Sequence, residues 1–389
     1  MNSRLLETDV QEFIRTYNGE IPRLVLSGSP FNDIPSADLI QQIESWKKCQ
    51  KKLPTWFSTQ GLYFPPKLHL EQTSSELTAK YKASLVSGKK IADLTGGFGV
   101  DSYYFSEVCD TVDHFELNEE LSKIAAHNFK VFRKENINCY SEDGLKNLKR
   151  ADYDTVYVDP SRRNVAKGKV FFLSDCAPNV SKHLETLLSS CEQLIIKTSP
   201  MLDIQAGISE LRNVNEIHVV GIENEVKELL WILNKKPSEK TLIKTVNLGK
   251  EGSDIFHFFL NELDETIYGL PKKFLYEPNS MILKSGGFSL LSKKYNIAKL
   301  HKHSHLYTSD QLLEFPGRTF IIERVVPYTK KDMKTALGFS KANITTRNFP
   351  ENVQTLRKKW KLSDGGHRYL FFTILENDEK IMLICSKPN

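Results

Sequence analysis

The fold is decided by a short stretch, residues 90–101, which reads KIADLTGGFGVD. Its first half is apolar and suits a buried strand, and Gly96, Gly97 and Gly99 follow in a tight cluster. Glycines let the backbone turn sharply and approach a ligand where a Cβ atom would collide. A strand, a glycine-rich turn and a helix in this order predict the ligand-binding turn of an open α/β sheet.

Short apolar runs recur on both sides of this turn, separated by helical segments. They are KIADL, VDHFEL, INCY, DTVYVD, QLIIKT and EIHVVG, between residues 90 and 221. Alternating strands and helices predict βαβ units and a mostly parallel sheet covered on both faces. A helix is expected over Glu225–Leu233, followed by an antiparallel strand pair at Thr241–Val246 and Ile255–Leu260 that would extend the sheet edge.

Acidic residues stand at the ends of four successive runs: Asp93, Glu116, Asp143 and Asp159. Open α/β sheets bind ligands at the carboxyl ends of their strands. Glu116 is placed to bridge the two hydroxyls of a ribose, and Asp143 to receive an adenine amino group. Each acid alone could equally cap a helix. Four in register favour a nucleoside site.

A nicotinamide dehydrogenase is the main alternative within this fold, because its G-x-G-x-x-G turn has the same setting. Here Ser102 stands where the third glycine of that pattern allows close helix packing. Asp93 also suits a methyl donor, whose amino-acid part carries an ammonium group. The sequence therefore favours a methyl donor over a dinucleotide.

The series Asp93-x-Thr95-Gly96-Gly97-x-Gly99 resembles motif I of class I S-adenosylmethionine (SAM)-dependent methyltransferases. Four further stretches make the chain similar to the methyltransferase family that ends in a THUMP-like domain. They are EQTSSE at 71–76, DPSRR at 159–163, KTSPMLD at 197–203 and NITTR at 343–347. The resemblance covers nearly the whole chain from about Leu68 onward.

This resemblance implies an α/β fold built on a Rossmann-like class I methyltransferase sheet. Helical patterning predicts an N-terminal helical region at 1–80. The resemblance implies a SAM-dependent methyltransferase domain at 81–268, a small ferredoxin-like domain at 269–318 and a C-terminal α+β THUMP-like domain at 319–389. It also implies SAM as the cofactor. The residues expected to bind it are Gln72, Asp93, Thr95, Gly96, Gly97, Gly99, Glu116, Leu117, Asp143 and Gly144.

The expected catalytic residues are Asp159, Pro160 and Arg162. Enzymes that methylate exocyclic amines usually end the fourth strand with [DN]-P-P-[YFW], in which the acid and the proline carbonyl accept the amine hydrogens. Asp159 and Pro160 keep these acceptors, but the stacking aromatic residue is missing. Arg162 could stack instead or clamp a phosphate with Arg163, and Lys197 could meet a phosphate or steady Asp159. Pairing of the arginines with surface acids is the alternative.

The net charge of +5 is too small to diagnose nucleic-acid binding over 389 residues. Between residues 328 and 361, however, nine basic residues stand against two acids. This excess predicts contacts with RNA phosphates. The expected substrate-binding residues there are Arg347, Arg357 and Lys358, and a solvated helix face is the alternative.

A metal site and a disulfide framework are not expected, because the six cysteines lie far apart and form no CxxC pair. The histidines His301, His303 and His305 alternate as on a strand, but no acid or cysteine stands at ligand spacing, so polar or substrate-facing roles are expected. The acid-bearing N-terminus and the absence of a long apolar run predict a cytoplasmic protein.

The functional hypothesis is a SAM-dependent methyltransferase that modifies a base of tRNA or rRNA, with an exocyclic amine as the candidate acceptor. Two alternatives remain: a methyltransferase acting on a protein or small molecule, and a non-catalytic RNA-binding protein that retains the fold. The intact Asp93, Gly97, Gly99, Glu116 and Asp159 disfavour the last of these.

Overall fold

The computed structural model describes residues 1–148, 152–162, 172–249 and 252–388, with Arg162 described by its backbone only. The chain forms two compact units. One comprises Met1–Ile217 with Leu229–Glu239, and the other His218–Glu228 with Lys240–Asn389.

The first unit holds helices and strands in alternation after a helical start. Its helices are α1 (Thr8–Thr16), α2 (Ile21–Ser27), α3 (Ser36–Lys52), α4 (Pro54–Ser58), α5 (Lys67–Gln72), α6 (Glu76–Ala83), α7 (Val100–Phe105), α8 (Glu119–Val131), α9 (Gly144–Asn147), α10 (Val180–Ser189) and α11 (Ile204–Glu210). Its strands are β1 (Lys90–Asp93), β2 (Thr111–Phe115), β3 (Ile137–Tyr140), β4 (Tyr153–Val158), β5 (Ser161–Arg162), β6 (Cys176–Ala177) and β7 (Cys191–Thr198). Strands β8 (Val214–Ile222) and β9 (Glu225–Asn234) have residues in both units.

The sheet of the first unit has the order β9-β7-β4-β1-β2-β3. Strand β1 pairs in parallel with β2 and β4, and the same direction continues to β3 and β7. The carboxyl ends of β1, β2, β3, β4 and β7 therefore meet along one edge, where the predicted acids stand. Each of the six runs identified in the sequence is a strand, which confirms the α/β class.

The N-terminal helices share a hydrophobic core with this sheet. Trp56 of α4 is 1% exposed and belongs to the same buried cluster as Phe105 of α7 and Ile195 of β7. Burying a large apolar side chain stabilises the fold by roughly 1.5–3 kcal/mol, so these helices are integral to the unit that carries the turn.

The helix predicted over Glu225–Leu233 is wrong. These residues belong to β9, which pairs antiparallel with β7, placing Ile232 opposite Ile195. Residues 229–233 are a continuous apolar run and are all buried. Periodicity alone does not distinguish such a run in a buried strand from one in a buried helix.

The second unit contains the antiparallel pair predicted after β9 and a separate seven-stranded sheet. Its strands are β10 (Leu242–Leu248), β11 (Ser253–Phe259), β12 (Phe274–Pro278), β13 (Ala298–Lys299), β14 (Tyr307–Ser309), β15 (Gly317–Pro327), β16 (Asn343–Thr346), β17 (Tyr369–Ile374) and β18 (Lys380–Ser386). Its helices are α12 (Ser280–Ser285), α13 (Leu291–Tyr295), α14 (Lys330–Ala336) and α15 (Val353–Trp360). The sheet order is β13-β14-β12-β15-β18-β17-β16.

Alternation along β18 gives this sheet two buried faces. Met382 and Ile384 join the core with α14 and α15, whereas Ile381 and Leu383 join a second core that includes Leu275 of β12. Successive side chains of a strand point to opposite faces, so one strand serves both cores.

The three alternating histidines do not lie on a strand. They occupy a turn between β13 and β14, where His301 Nδ1 accepts a hydrogen bond from the His303 backbone N–H at 3.0 Å. Among the described residues, no cluster of His, Cys, Asp and Glu has the arrangement of a metal site. Helices long and apolar enough to cross a bilayer are likewise missing from the described ranges.

Candidate active site

The glycine-rich turn after β1 adopts a conformation that requires its glycines. Gly97 and Gly99 have φ of +57° and +87°, in the left-handed region that ordinary residues avoid. At Gly96 a Cβ atom would overlap the ring of His114, and at Gly99 it would strike Phe129. Above Gly97, by contrast, the described residues would place only the Thr95 carbonyl oxygen within 4 Å of a Cβ, at 3.8 Å. The turn is thus packed on its inner side and open over Gly97.

Glu116 touches this turn directly. Its Oε2 accepts a hydrogen bond from the Gly97 N–H at 2.8 Å, and Oε1 accepts from Asn118 N–H at 2.7 Å. Each carboxylate oxygen keeps a second lone pair, so the group can still accept two ligand hydroxyls. The neighbouring Leu117 side chain is 74% exposed and offers an apolar contact beside it. Glu116 therefore lies directly against the glycine-rich turn.

Asp93 is buried beneath the turn. Its Oδ1 accepts from Thr95 N–H at 3.1 Å, and Oδ2 accepts from Ser102 Oγ at 2.6 Å. Ser102 Oγ also lies 2.9 Å from His114 Nδ1. Burial raises the pKa of Asp93 to about 7 and lowers the pKa of His114 to about 4. Ser102 thus occupies the position of the missing third glycine and forms part of a buried polar chain.

Asp143 and Gly144 stand at the end of β3. Asp143 caps α9, because its side chain accepts a hydrogen bond from Leu145 N–H at 3.1 Å. Gly144 is buried, and a Cβ there would come within 2.8 Å of Leu94 and 3.0 Å of Phe115. The glycine therefore packs against the strand ends that carry the turn.

Asp159 follows β4 and is fixed from two sides. Its backbone N–H donates to Thr95 Oγ1 at 2.7 Å, which ties it to the glycine-rich turn. Its Oδ2 forms an ion pair with Lys197 Nζ at the end of β7. The side chains of Asp159 and Lys197 are 32% and 13% exposed. Pro160, the next residue, is buried.

The crystal structure of a "putative methyltransferase" from Porphyromonas gingivalis W83 matches this chain with a TM-score of 0.90. Sequence identity is 32%, and the match covers 100% of both chains. The chain belongs to the same methyltransferase family.

Two domain models match the second part of this methyltransferase-family chain: a ferredoxin-like domain at 274–316 and a THUMP domain-like model at 317–387. They confirm the predicted family and fold class. An rRNA methylase from Streptococcus thermophilus matches at a TM-score of 0.31 and 16% identity, over 41% of this chain and 95% of its own. TrmK from M. capricolum, solved with S-adenosylhomocysteine, matches at 0.33 and 14%, over 41% and 68%. Scores this low give no evidence on function. The curated proteins compared with the sequence contain no match.

Lys52 of this methyltransferase is held in a fixed position that the sequence analysis did not predict. It ends α3, and its Nζ donates to the carbonyl oxygens of Leu70 and Glu71 at 2.8 and 2.9 Å. Burial, assisted by the like charges of Lys197 and Lys48, lowers its pKa to about 8. A lysine within a helical run gives no sequence signal of such a position.

The EQTSSE stretch supplies buried support to the methyltransferase turn. Ser74 Oγ donates to Asp101 Oδ2 at 2.8 Å and accepts from Lys82 Nζ at 2.8 Å. Lys82 is 0% exposed and also forms an ion pair with Asp101 at 3.2 Å. This network anchors the first turn of α7 just after the glycines. Gln72, which was expected to bind the cofactor, lies exposed at the end of α5.

The basic residues predicted to bind substrate are either outside the described residues, paired with acids or exposed. The side chain of Arg162 and all of Arg163 lie outside the described residues, although the Arg162 backbone pairs with Cys176 in the β5–β6 ribbon. In the second unit, Arg347 forms an ion pair with Glu277 at 2.6 Å, and Arg357 pairs with Asp364. Lys358 is exposed on α15.

Other basic residues of the second unit line a common cavity. A cavity of about 620 Å³ has four exposed lysines and two aromatic side chains in its lining. The lining residues are Tyr328, Thr329, Lys330, Lys334, Lys359, Trp360 and Lys361. Lys359 Nζ lies 4.9 Å from the Tyr328 ring centre and forms an ion pair with Glu351 at 3.0 Å. We call this feature the lysine pocket.

Proposed function

We propose that this chain is a SAM-dependent methyltransferase whose substrate is RNA. The observation that carries the methyl-donor part is the contact between Glu116 and Gly97. It brings the acid at the end of β2 against a glycine turn that is open on its outer side. A methyltransferase of full-length similarity supports the same activity.

The residues around the turn fit a nucleoside donor. Glu116 would accept the ribose hydroxyls, and the exposed Leu117 would contact the adenine ring. Asp143, at the end of β3, would receive the adenine amino group. The Thr95–Gly99 segment would approach the amino-acid part, with Asp93 holding the turn in shape from below. When bound, SAM supplies an electrophilic methyl group on a sulfonium.

The lysine pocket supports RNA as the substrate class. Its lysines can neutralise phosphates, and Tyr328 and Trp360 offer rings on which an unpaired base can stack. It lies within the part of the chain matched by the THUMP domain-like model. Arg347, Arg357 and Lys358 remain further candidates, although the two arginines already pair with acids. We propose tRNA or rRNA as the target.

The hypothesis of a base amine as acceptor depends on a carboxylate ready to receive amine hydrogens. The ion pair between Asp159 and Lys197 weakens that hypothesis, because one carboxylate oxygen is already engaged. Asp159 and Pro160 remain the proposed catalytic positions, together with Arg162, and Arg163 and Lys197 are proposed substrate contacts.

The proposed domain division keeps the sequence-derived boundaries, so that successive domains end at residues 80, 268 and 318.

We also propose that the protein works in the cytoplasm. All six cysteines are free and five are buried, which suits a reducing compartment.

Two measurements test this function. Calorimetric titration of the full chain with SAM tests donor binding, and incubation with methyl-labelled SAM and total RNA from a deletion strain tests the substrate. We expect binding, and label in the tRNA or rRNA fraction. Label in the protein or small-molecule fraction would instead support the alternative substrate class. If the chain binds RNA but neither binds SAM nor transfers the labelled methyl group, it is a non-catalytic RNA-binding protein.

A further inference from the structure

The reacting end of the sheet presents a cation where an amine-methylating site needs acceptors. Lys197 Nζ contacts Asp159 Oδ2 and is only 13% exposed, so its charge is held at this position by packing as well as by pairing. Asp159 in turn is tied to the glycine-rich turn through Thr95. The pair therefore stands beside the site proposed for the methyl donor.

The sign of the charge that develops on the acceptor decides which nucleophile suits such a pair. A nitrogen that attacks a methyl group gains positive charge, and a neighbouring ammonium opposes that change. A hydroxyl oxygen that loses its proton gains negative charge, and the same ammonium stabilises it. Lys197 thus favours an oxygen acceptor over an exocyclic amine.

The sequence after Asp159 points the same way. Ser161 follows Pro160 where base-amine enzymes continue with a second proline and an aromatic ring. The β5–β6 pairing of Ser161 with Ala177 also commits this segment to a ribbon. A ribose acceptor needs no ring on which to stack the target base.

From this geometry we propose that the acceptor atom is a ribose hydroxyl oxygen of RNA, with Asp159 and Lys197 as the catalytic pair. The inference rests on the proposed RNA methyltransferase function and specifies its acceptor.

The Asp159 carboxylate accepts the hydroxyl proton and passes it to water. The hydroxyl oxygen forms a bond to the methyl carbon while the carbon–sulfur bond breaks, and its electron pair stays on sulfur, which becomes a neutral thioether. Lys197 donates to the oxygen as its negative charge develops.

Alkaline hydrolysis of the labelled RNA tests the acceptor directly. The full chain is incubated with methyl-labelled SAM and total RNA from a deletion strain, and the RNA is then hydrolysed in alkali. A methylated 2′-hydroxyl blocks cleavage, so we expect the label in alkali-stable dinucleotides. Label in mononucleotides that carry a methylated base would overturn the inference while leaving RNA methylation intact. Failure to label RNA at all would contradict the proposed function itself.

Variants at Lys197 test the role of the charge. Lys197→Met keeps the length of the side chain and should reduce turnover about a hundredfold, with SAM affinity nearly unchanged. Lys197→Arg should recover part of the rate. The matched control is Lys235→Met, which removes an exposed lysine paired with Glu192 near the opposite end of β7. A rate for Lys197→Met equal to that of the control would overturn the inference.

Discussion

The glycine-rich turn of the first unit and the basic segment of the second were both expected from sequence to bind ligands, yet their predicted residues behave differently. At the turn, Glu116 and Asp159 both hydrogen-bond to the glycine-rich segment, through Gly97 and Thr95. In the basic segment, Arg347 and Arg357 pair with acids of their own unit, and other lysines gather in a pocket.

The difference comes from what each pattern encodes. Acids that end successive parallel strands must meet, because the carboxyl ends of those strands share one edge of the sheet. A count of basic residues carries no such constraint, since it does not specify which way each side chain points or which acid lies nearby. Spacing tied to a topology therefore predicts a site, whereas local charge predicts only a region.

Among variants around the glycine-rich turn, Asp159→Ala is expected to have the largest effect, which is a loss of turnover. Turnover should fall about a thousandfold, because the variant loses the proton acceptor and leaves Lys197 without its carboxylate. SAM affinity should change little. Asp152→Ala is the control, since Asp152 is exposed just before β4, at the opposite end of the strand. Methylation near the parent rate would remove Asp159 from the reaction.

A smaller effect is expected from the buried carboxyl beneath the turn. The pKa of Asp93 is raised to about 7 from 3.8, so between these values the folded chain keeps a proton that the unfolded chain releases. Its contribution to stability is thus present at low pH and falls as pH rises toward 7. Asp93→Asn avoids this loss and should gain about 3–4 kcal/mol of stability relative to the parent between pH 4 and 7.

Urea unfolding of both proteins at several pH values measures this difference. The asparagine can still accept from Thr95 N–H, so the turn should persist. His114, whose lowered pKa makes stability rise with pH between about 4 and 6.5, titrates in both proteins and cancels in the comparison. A difference in stability that stayed constant with pH would show that Asp93 is ionised in the folded chain.

Glu116→Ala should have the next largest effect, on donor affinity. Losing charge-assisted hydrogen bonds to the ribose should weaken SAM binding by about 1.5–3 kcal/mol, roughly tenfold or more. Calorimetry measures the change, and Glu116→Gln separates the loss of charge from the loss of the contact with Gly97. Unchanged affinity in a folded alanine variant would place the donor elsewhere.

The sequence predicted the strands around the turn because short apolar runs alternate with helical segments there. It failed at β9, where a fully buried run hides its period. The position of Lys52 could not be predicted from the sequence either. Its contacts with the carbonyl oxygens of Leu70 and Glu71 depend on how α3 packs against α5, and no local pattern encodes them.

The smallest expected effect is a change in the salt dependence of RNA binding at the lysine pocket. It decides whether the lysine pocket or the predicted residues of α15 contact RNA phosphates. Lys330 and Lys334 line the pocket on α14, whereas Arg357 and Lys358 lie on α15 outside its lining. Each pair can be changed to glutamine, so both double variants lose two positive charges. For binding of total tRNA, the pocket variant should flatten the slope of log K against log salt by roughly one to two units. The α15 variant should flatten it less, because Arg357 is already paired with Asp364.

SAM binding should be unaltered in both variants. Equal slopes in the two variants would mean that the charges act diffusely, and a larger change in the α15 variant would restore the sequence-derived assignment.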